Sequence, residues 1–158
     1  MVHAMNRWPA AGAGLLACAV LALAAGGCGT ENIRQLADTA DFRQAIQSPQ
    51  PVMVDFYKGG CPTCVALDGT INQLAAEYRG RAVVARFELM KPYFAITSEE
   101  IRTKYDIGMY PTVILFVNGQ EKARWALDYN ADNYRKALNE VLGSPAPAEP
   151  KSGGPAAP

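Results

Sequence analysis

The segment from Val52 to Cys64 constrains this chain more than any other part of it. Val52-Met53-Val54-Asp55-Phe56-Tyr57 is an apolar, β-branched and aromatic run without alternation, as expected of a strand buried on both faces. Gly59-Gly60 ends it, and Cys61-Pro62-Thr63-Cys64 follows at once. Beyond Pro62, Leu67, Ile71, Leu74, Ala75 and Tyr78 recur at the spacing of one helical face, with Gly80 as the stop. A buried strand, a glycine turn and a helix that opens at Cys61 place two thiols at a helix N-terminus.

That position has chemical consequences. Unpaired backbone N–H groups and the positive end of the helix dipole favour thiolate over thiol, so Cys61 is predicted to be the nucleophile. Cys64, one turn further in, lies on the same side and is less exposed, where it can attack a mixed disulfide and release the product. Pro62 suits the first helical position, because a missing N–H costs nothing there. Other readings of the pair are weaker. A disulfide closing so short a ring stabilises a fold little by loop entropy. Zinc would need two further ligands, yet the remaining cysteines, Cys18 and Cys28, lie in the N-terminal region and the single histidine is His3. No metal or cofactor is expected beyond the cysteine pair itself. Equal counts of 15 basic and 15 acidic residues offer no bulk attraction for nucleic acid.

Around this unit the pattern alternates between strands and helices. Residues 32–36 can form a short strand, and Thr39 can cap a helix through Phe42 and Ile46. Residues 82–89 read as a strand with Arg86 in its middle. Thr97, with Glu100 three residues on, has a capping-box pattern for a short helix through Ile101 and Tyr105. Thr112–Val117 and Gln120–Ala126 read as strands joined by the hairpin turn Asn118-Gly119. Asn130 or Asp132 then caps a last helix with Tyr134, Leu138 and Val141 inward. The order β-α-β-α-β-α-β-β-α predicts an α/β domain, a central mixed sheet with helices on both faces.

Val52-Met53-Val54-Asp55-Phe56-Tyr57 followed by Cys61-Pro62-Thr63-Cys64, with Tyr110-Pro111-Thr112 and Phe116-Val117-Asn118-Gly119 later, resembles the thioredoxin family over about residues 32–142. The resemblance implies a thioredoxin fold in which the cysteine pair faces a cis-proline loop, with Pro111 as the matching residue. Tyr110 would then offer its backbone to an extended substrate strand. It also implies that Asp55, six residues before Cys61, takes the proton from Cys64 during exchange. A carboxyl inside an apolar strand should titrate high, as a shuttle near neutrality needs. Arg86 occupies the place of the lysine that accompanies this acid. Being always charged, it would either hold Asp55 ionised and blunt the shuttle or form a structural ion pair with it.

Departures from the family pattern bear on the substrate. Gly60 stands where thioredoxins usually carry a tryptophan, Leu127 replaces an expected glycine, and Tyr110 is larger than the usual residue before the cis proline. These changes are expected to alter the docking surface around the reactive pair. The longer connection over residues 91–97 resembles that in the C-terminal domain of the transmembrane thiol reductase that carries electrons across the bacterial inner membrane. Pro62-Thr63 is similar to the dipeptide of the reducing thioredoxins of cytochrome c maturation, although their inserted segment before the second helix is not found here.

The two ends read differently from the middle. Arg7, an apolar Ala- and Leu-rich run over residues 8–25, and Gly26-Gly27-Cys28 make residues 1–28 an expected export signal. Leu23-Ala24-Ala25-Gly26-Gly27-Cys28 resembles a bacterial lipoprotein box, with Ala25 where a large aliphatic residue is usual, and implies lipidation of Cys28. Leu15-Leu16-Ala17-Cys18 fits the box better locally but leaves a short apolar region after Arg7. An uncleaved anchor helix and simple secretion stand as alternatives. Residues 144–158, rich in Pro, Ala and Gly, read as a disordered tail, which leaves residues 29–143 as one folded domain.

The expected function is thiol–disulfide exchange on extracytoplasmic protein disulfides through Cys61 and Cys64, in the reducing direction, by a monomer. If Cys28 carries the anchor, residues 29–32 reach at most roughly 14 Å, so the site stays near the bilayer. Partners are then membrane-proximal protein thiols and disulfides, with a transmembrane thiol protein as electron donor. Two alternatives use the same residues: a tethered module that holds extended peptides at Tyr110 and Pro111 without turnover, and delivery of a soft metal ion through the dithiol.

Overall fold

The computed structural model describes residues 32–91, 93 and 95–143. The expected signal over residues 1–28, the lipidation site Cys28 and the tail over residues 144–158 lie outside the described residues. Strand β1 (Ile33–Leu36), helix α1 (Thr39–Ile46), β2 (Val52–Lys58), α2 (Pro62–Glu77), β3 (Val83–Met90), α3 (Glu99–Lys104), β4 (Thr112–Val117), β5 (Gln120–Ala126) and α4 (Ala131–Leu142) follow the expected order. The strands form one sheet in the order β1-β3-β2-β4-β5. β2 lies at its centre, parallel to β3 and antiparallel to β4.

The unbroken apolar run of β2 follows from this central place. Val52, Val54 and Phe56 enter a core shared with Phe42 and Ile46 of α1 and Ile101 of α3. Met53 enters a second core with Leu67, Ile71 and Leu74 of α2 and Tyr134 and Leu138 of α4. Side chains alternate along a strand, so Asp55 shares the face of Met53 and lies on the α2 side of the sheet. In the first core the Phe42 ring meets those of Phe56, Phe87, Tyr105 and Phe116, with centroids 5.6–6.0 Å apart.

Two helix starts differ from expectation. α1 is capped by Asp38, whose carboxylate accepts from the Asp41 N–H at 2.9 Å, while the Thr39 hydroxyl donates to Ser98 Oγ at 2.8 Å. α3 is capped by Ser98, which accepts from the Ile101 N–H at 3.2 Å, while the Thr97 hydroxyl donates to the Glu88 carbonyl at 2.6 Å. Both threonines are engaged elsewhere, and the neighbouring Asp or Ser takes the cap. The 91–97 connection folds back on β3: Lys91 N donates to the Ala95 carbonyl at 2.8 Å and Thr97 N to that of Leu89 at 3.0 Å. Among the described residues, no helix is long and apolar enough to cross a membrane.

Candidate active site

Cys61 is itself the N-cap of α2, with extended backbone at φ −93° and ψ 113°, and Pro62 opens the helix. Gly60 approaches it at φ +71°, a left-handed conformation that glycine adopts without steric cost. The Cys64 N–H points at Cys61 Sγ from 3.3 Å and the Thr63 hydroxyl lies 2.9 Å from the same sulfur. Both cysteines are free thiols; Cys61 is partly exposed and Cys64 is buried.

These surroundings treat the two sulfurs in opposite ways. Burial works against ionisation of Cys61, but hydrogen bonds from the Cys64 thiol, the Thr63 hydroxyl and the backbone N–H groups of Cys64 and Thr63 outweigh it, and this thiol titrates below its ordinary range. Burial pushes the Cys64 thiol up to about 12, helped by its hydrogen bond to Cys61 and opposed by one from the Lys58 backbone. One sulfur is ready to attack, and the other keeps its proton until a base removes it.

Asp55 is fully buried. Desolvation raises its carboxyl to about 6, against the pull of Arg86, its neighbour across the β2–β3 ladder. Arg86 Nε donates to Asp55 Oδ2 at 3.0 Å, so the two form the ion pair that the sequence left as one of two options. The pair does not hold the carboxyl low, because burial outweighs it. Asp55 Oδ1 has no hydrogen-bond partner among the described residues. A pocket of about 130 Å³ is lined by Cys61, Cys64 and Val65 together with Asp68 and Arg86.

The Tyr110–Pro111 peptide bond is cis. Thr63 ties this loop to the cysteines, since its hydroxyl also lies 3.3 Å from the Tyr110 carbonyl. A hydroxyl has one hydrogen to give. Once Cys61 is a thiolate that hydrogen goes to sulfur, and the Tyr110 carbonyl is released to another donor. The Tyr110 ring packs against the first core, so its extra bulk goes largely inward instead of reshaping the docking surface as expected. Leu127, at the expected glycine, adopts φ +55° and donates its N–H to the Pro111 carbonyl at 3.0 Å.

A family profile described as thioredoxin matches residues 33–142. The chain belongs to the thioredoxin family. It is 32% identical over 90 residues to the thioredoxin of Griffithsia pacifica, covering 57% of this chain and 77% of that one. To Thioredoxin 1 of Chlorobaculum tepidum it is 30% identical over 95 residues, covering 60% and 85%. Among solved structures, a thioredoxin of Malassezia sympodialis shares the fold at TM-score 0.59 and 14% identity, over 70% of this chain and 90% of that one. The protein is thus a thioredoxin-type protein-disulfide oxidoreductase. Its family exchanges electrons with protein disulfides through a cysteine pair and needs no bound cofactor.

Sequence reasoning missed several neighbours of the site in this thioredoxin. Val65, next to Cys64 and lining the same pocket, is 65% exposed, and Met109, before Tyr110, is 53% exposed. Asp68 was also missed. It sits four residues after Cys64 on the same helical face, a signal present in the sequence.

Proposed function

We propose that this oxidoreductase reduces protein disulfides outside the cytoplasm, tethered to a membrane through Cys28. Cys61 is the attacking thiol, Cys64 the resolving thiol and Asp55 the proton acceptor. The observation that carries the chemistry is the contrast within one motif, a partly exposed sulfur titrating low beside a buried one raised to about 12. Cys61 thiolate attacks one sulfur of a substrate disulfide, the S–S bond breaks, and the departing sulfur takes a proton from solvent. Cys64 gives its proton to ionised Asp55 and attacks Cys61 Sγ. The bond from Cys61 to the substrate breaks, the second substrate sulfur leaves as a thiolate and takes a proton from solvent, and a Cys61–Cys64 disulfide remains. Two electrons have passed to the substrate, and a membrane thiol donor restores the dithiol. During the attack the substrate lies extended along Tyr110 and Pro111 and pairs with the Tyr110 backbone.

Two features support the reducing direction. The largest influences that favour Cys61 thiolate are hydrogen bonds from Cys64 and Thr63, set against desolvation, whereas strong oxidants owe their potential to a heavily stabilised thiolate. Pro62-Thr63 is also similar to the dipeptide of reducing thioredoxins. Titrating the Cys61–Cys64 couple against a thiol buffer is expected to give a potential near about −270 mV or below. A value near about −120 mV would overturn the reductant reading.

Support for the tether is Arg7, the apolar run and the small residues before Cys28, a short reach from Ile33 where β1 begins. Cys28→Ser is expected to leave the membrane fraction and lose cellular function, while the purified variant reduces insulin disulfides at the parent rate. Full cellular function of the released variant would sink the need for an anchor.

A further inference from the structure

We infer that Asp68 is a positioning residue for the proton acceptor: it holds the far end of the Arg86 guanidinium, so that Arg86 gives Asp55 a single hydrogen bond and leaves Asp55 Oδ1 free to accept a proton. This rests on Asp55 being the base for Cys64.

Arg86 is one cation shared between two carboxylates. Its Nε reaches Asp55 Oδ2 at 3.0 Å and its terminal nitrogen reaches Asp68 Oδ1 at 2.7 Å. The guanidinium also lies over the Tyr57 ring, 4.5 Å from the centroid, which fixes its plane. Arginine commonly grips a carboxylate with two parallel N–H bonds. Here the terminal nitrogen pairs with Asp68, a residue 37% exposed at the pocket beside the cysteines, as an ion pair outside hydrogen-bond geometry, and not with the fully buried Asp55. An arginine with both bonds on Asp55 would stabilise the carboxylate and weaken it as a base. The shared geometry lets an always-charged residue occupy this position without that consequence.

The groups acting on Asp55 come from every element around it. Arg86 faces it from β3, Cys64 and Asp68 from α2, Tyr57 from its own strand and Tyr134 from α4. Asp68→Asn removes one negative charge from this set and frees the guanidinium to turn fully onto Asp55. Both changes stabilise the Asp55 carboxylate.

The test is single-turnover reduction of a protein disulfide by the pre-reduced full chain, followed from well below to well above pH 6. In the parent protein the rate should rise through an acid-side inflection set by Asp55, and Asp55→Asn should remove that inflection. Asp68→Asn is expected to move it down by about one pH unit and to lower the plateau above it, and Asp68→Glu to restore both. Loss of an ordinary surface ion pair would shift the melting temperature and leave the inflection in place. If Asp68→Asn leaves it in place while Asp55→Asn abolishes it, the inference about Asp68 fails and the role of Asp55 stands. If Asp55→Asn changes nothing, the proton-acceptor reading fails and takes this inference with it.

Discussion

Replacing Cys64 with alanine is expected to stop turnover while slowing, without abolishing, the first attack, because the lost Cys64 thiol is one of several donors that favour Cys61 thiolate. Cys61 keeps its place at the N-cap of α2, and the donor at 3.3 Å from its sulfur is the backbone N–H of residue 64, which alanine retains. The variant should therefore still open a substrate disulfide. What it lacks is the thiol that completes the exchange. A well-placed intramolecular group acts at an effective concentration of about 10⁵ M or more, which external thiols at millimolar levels do not replace. Steady-state reduction of insulin should fall by at least about 10³-fold, and a stable mixed disulfide between Cys61 and the substrate should appear on non-reducing gels. Cys61→Ala should give neither turnover nor adduct. Near-normal turnover by Cys64→Ala would mean that release proceeds through an outside thiol, and the two-cysteine mechanism would be wrong.

The largest effect on stability is expected at Phe42. This residue is 1% exposed and its ring, on α1, meets four others on β2, β3, β4 and the residue that ends α3. α1 is only eight residues long, too short to persist without tertiary packing, and Phe42 is its largest buried side chain. Phe42→Ala removes the hub of the cluster and leaves a void that the sheet closes only in part. The expected loss is about 3–5 kcal/mol, seen as a fall in Tm of more than about 10 °C. Val52, Val54 and Phe56 lie in that core, whereas the helix bearing the cysteines packs in the other. The folded variant should therefore react at Cys61 at the parent rate well below its Tm. A loss under about 1.5 kcal/mol in chemical denaturation would show that the rings are not close-packed.

The legible and illegible parts of this site divide by sequence distance. β2, its glycine turn and the opening of α2 are contiguous, and hydrophobic period, turn residues and helix-start chemistry all act over a few residues. The succession of strands and helices and the buried helix faces followed from the same local patterns, whereas the sheet order β1-β3-β2-β4-β5 came only from the fold. The caps of α1 and α3 did not, because each start offers two adjacent polar residues. The choice was made by partners far along the chain: Ser98 for Thr39, and the Glu88 carbonyl for Thr97. Tyr110 is another case, since its bulk is visible in the sequence and its direction into the first core is not.

By itself, then, the sequence determined that two thiols sit one turn apart at the mouth of a helix behind a buried strand, because that arrangement is written in consecutive residues. The tertiary structure alone decided the surroundings that set their chemistry. Cys64 is raised to about 12 by burial under packed elements, and Asp55 to about 6 by a core that outweighs its ion pair. Arg86 is divided between Asp55 and Asp68, which meet only when β2, β3 and α2 come together. Desolvation and charge sharing depend on what surrounds a group in space, and chain order carries that information only through the completed fold.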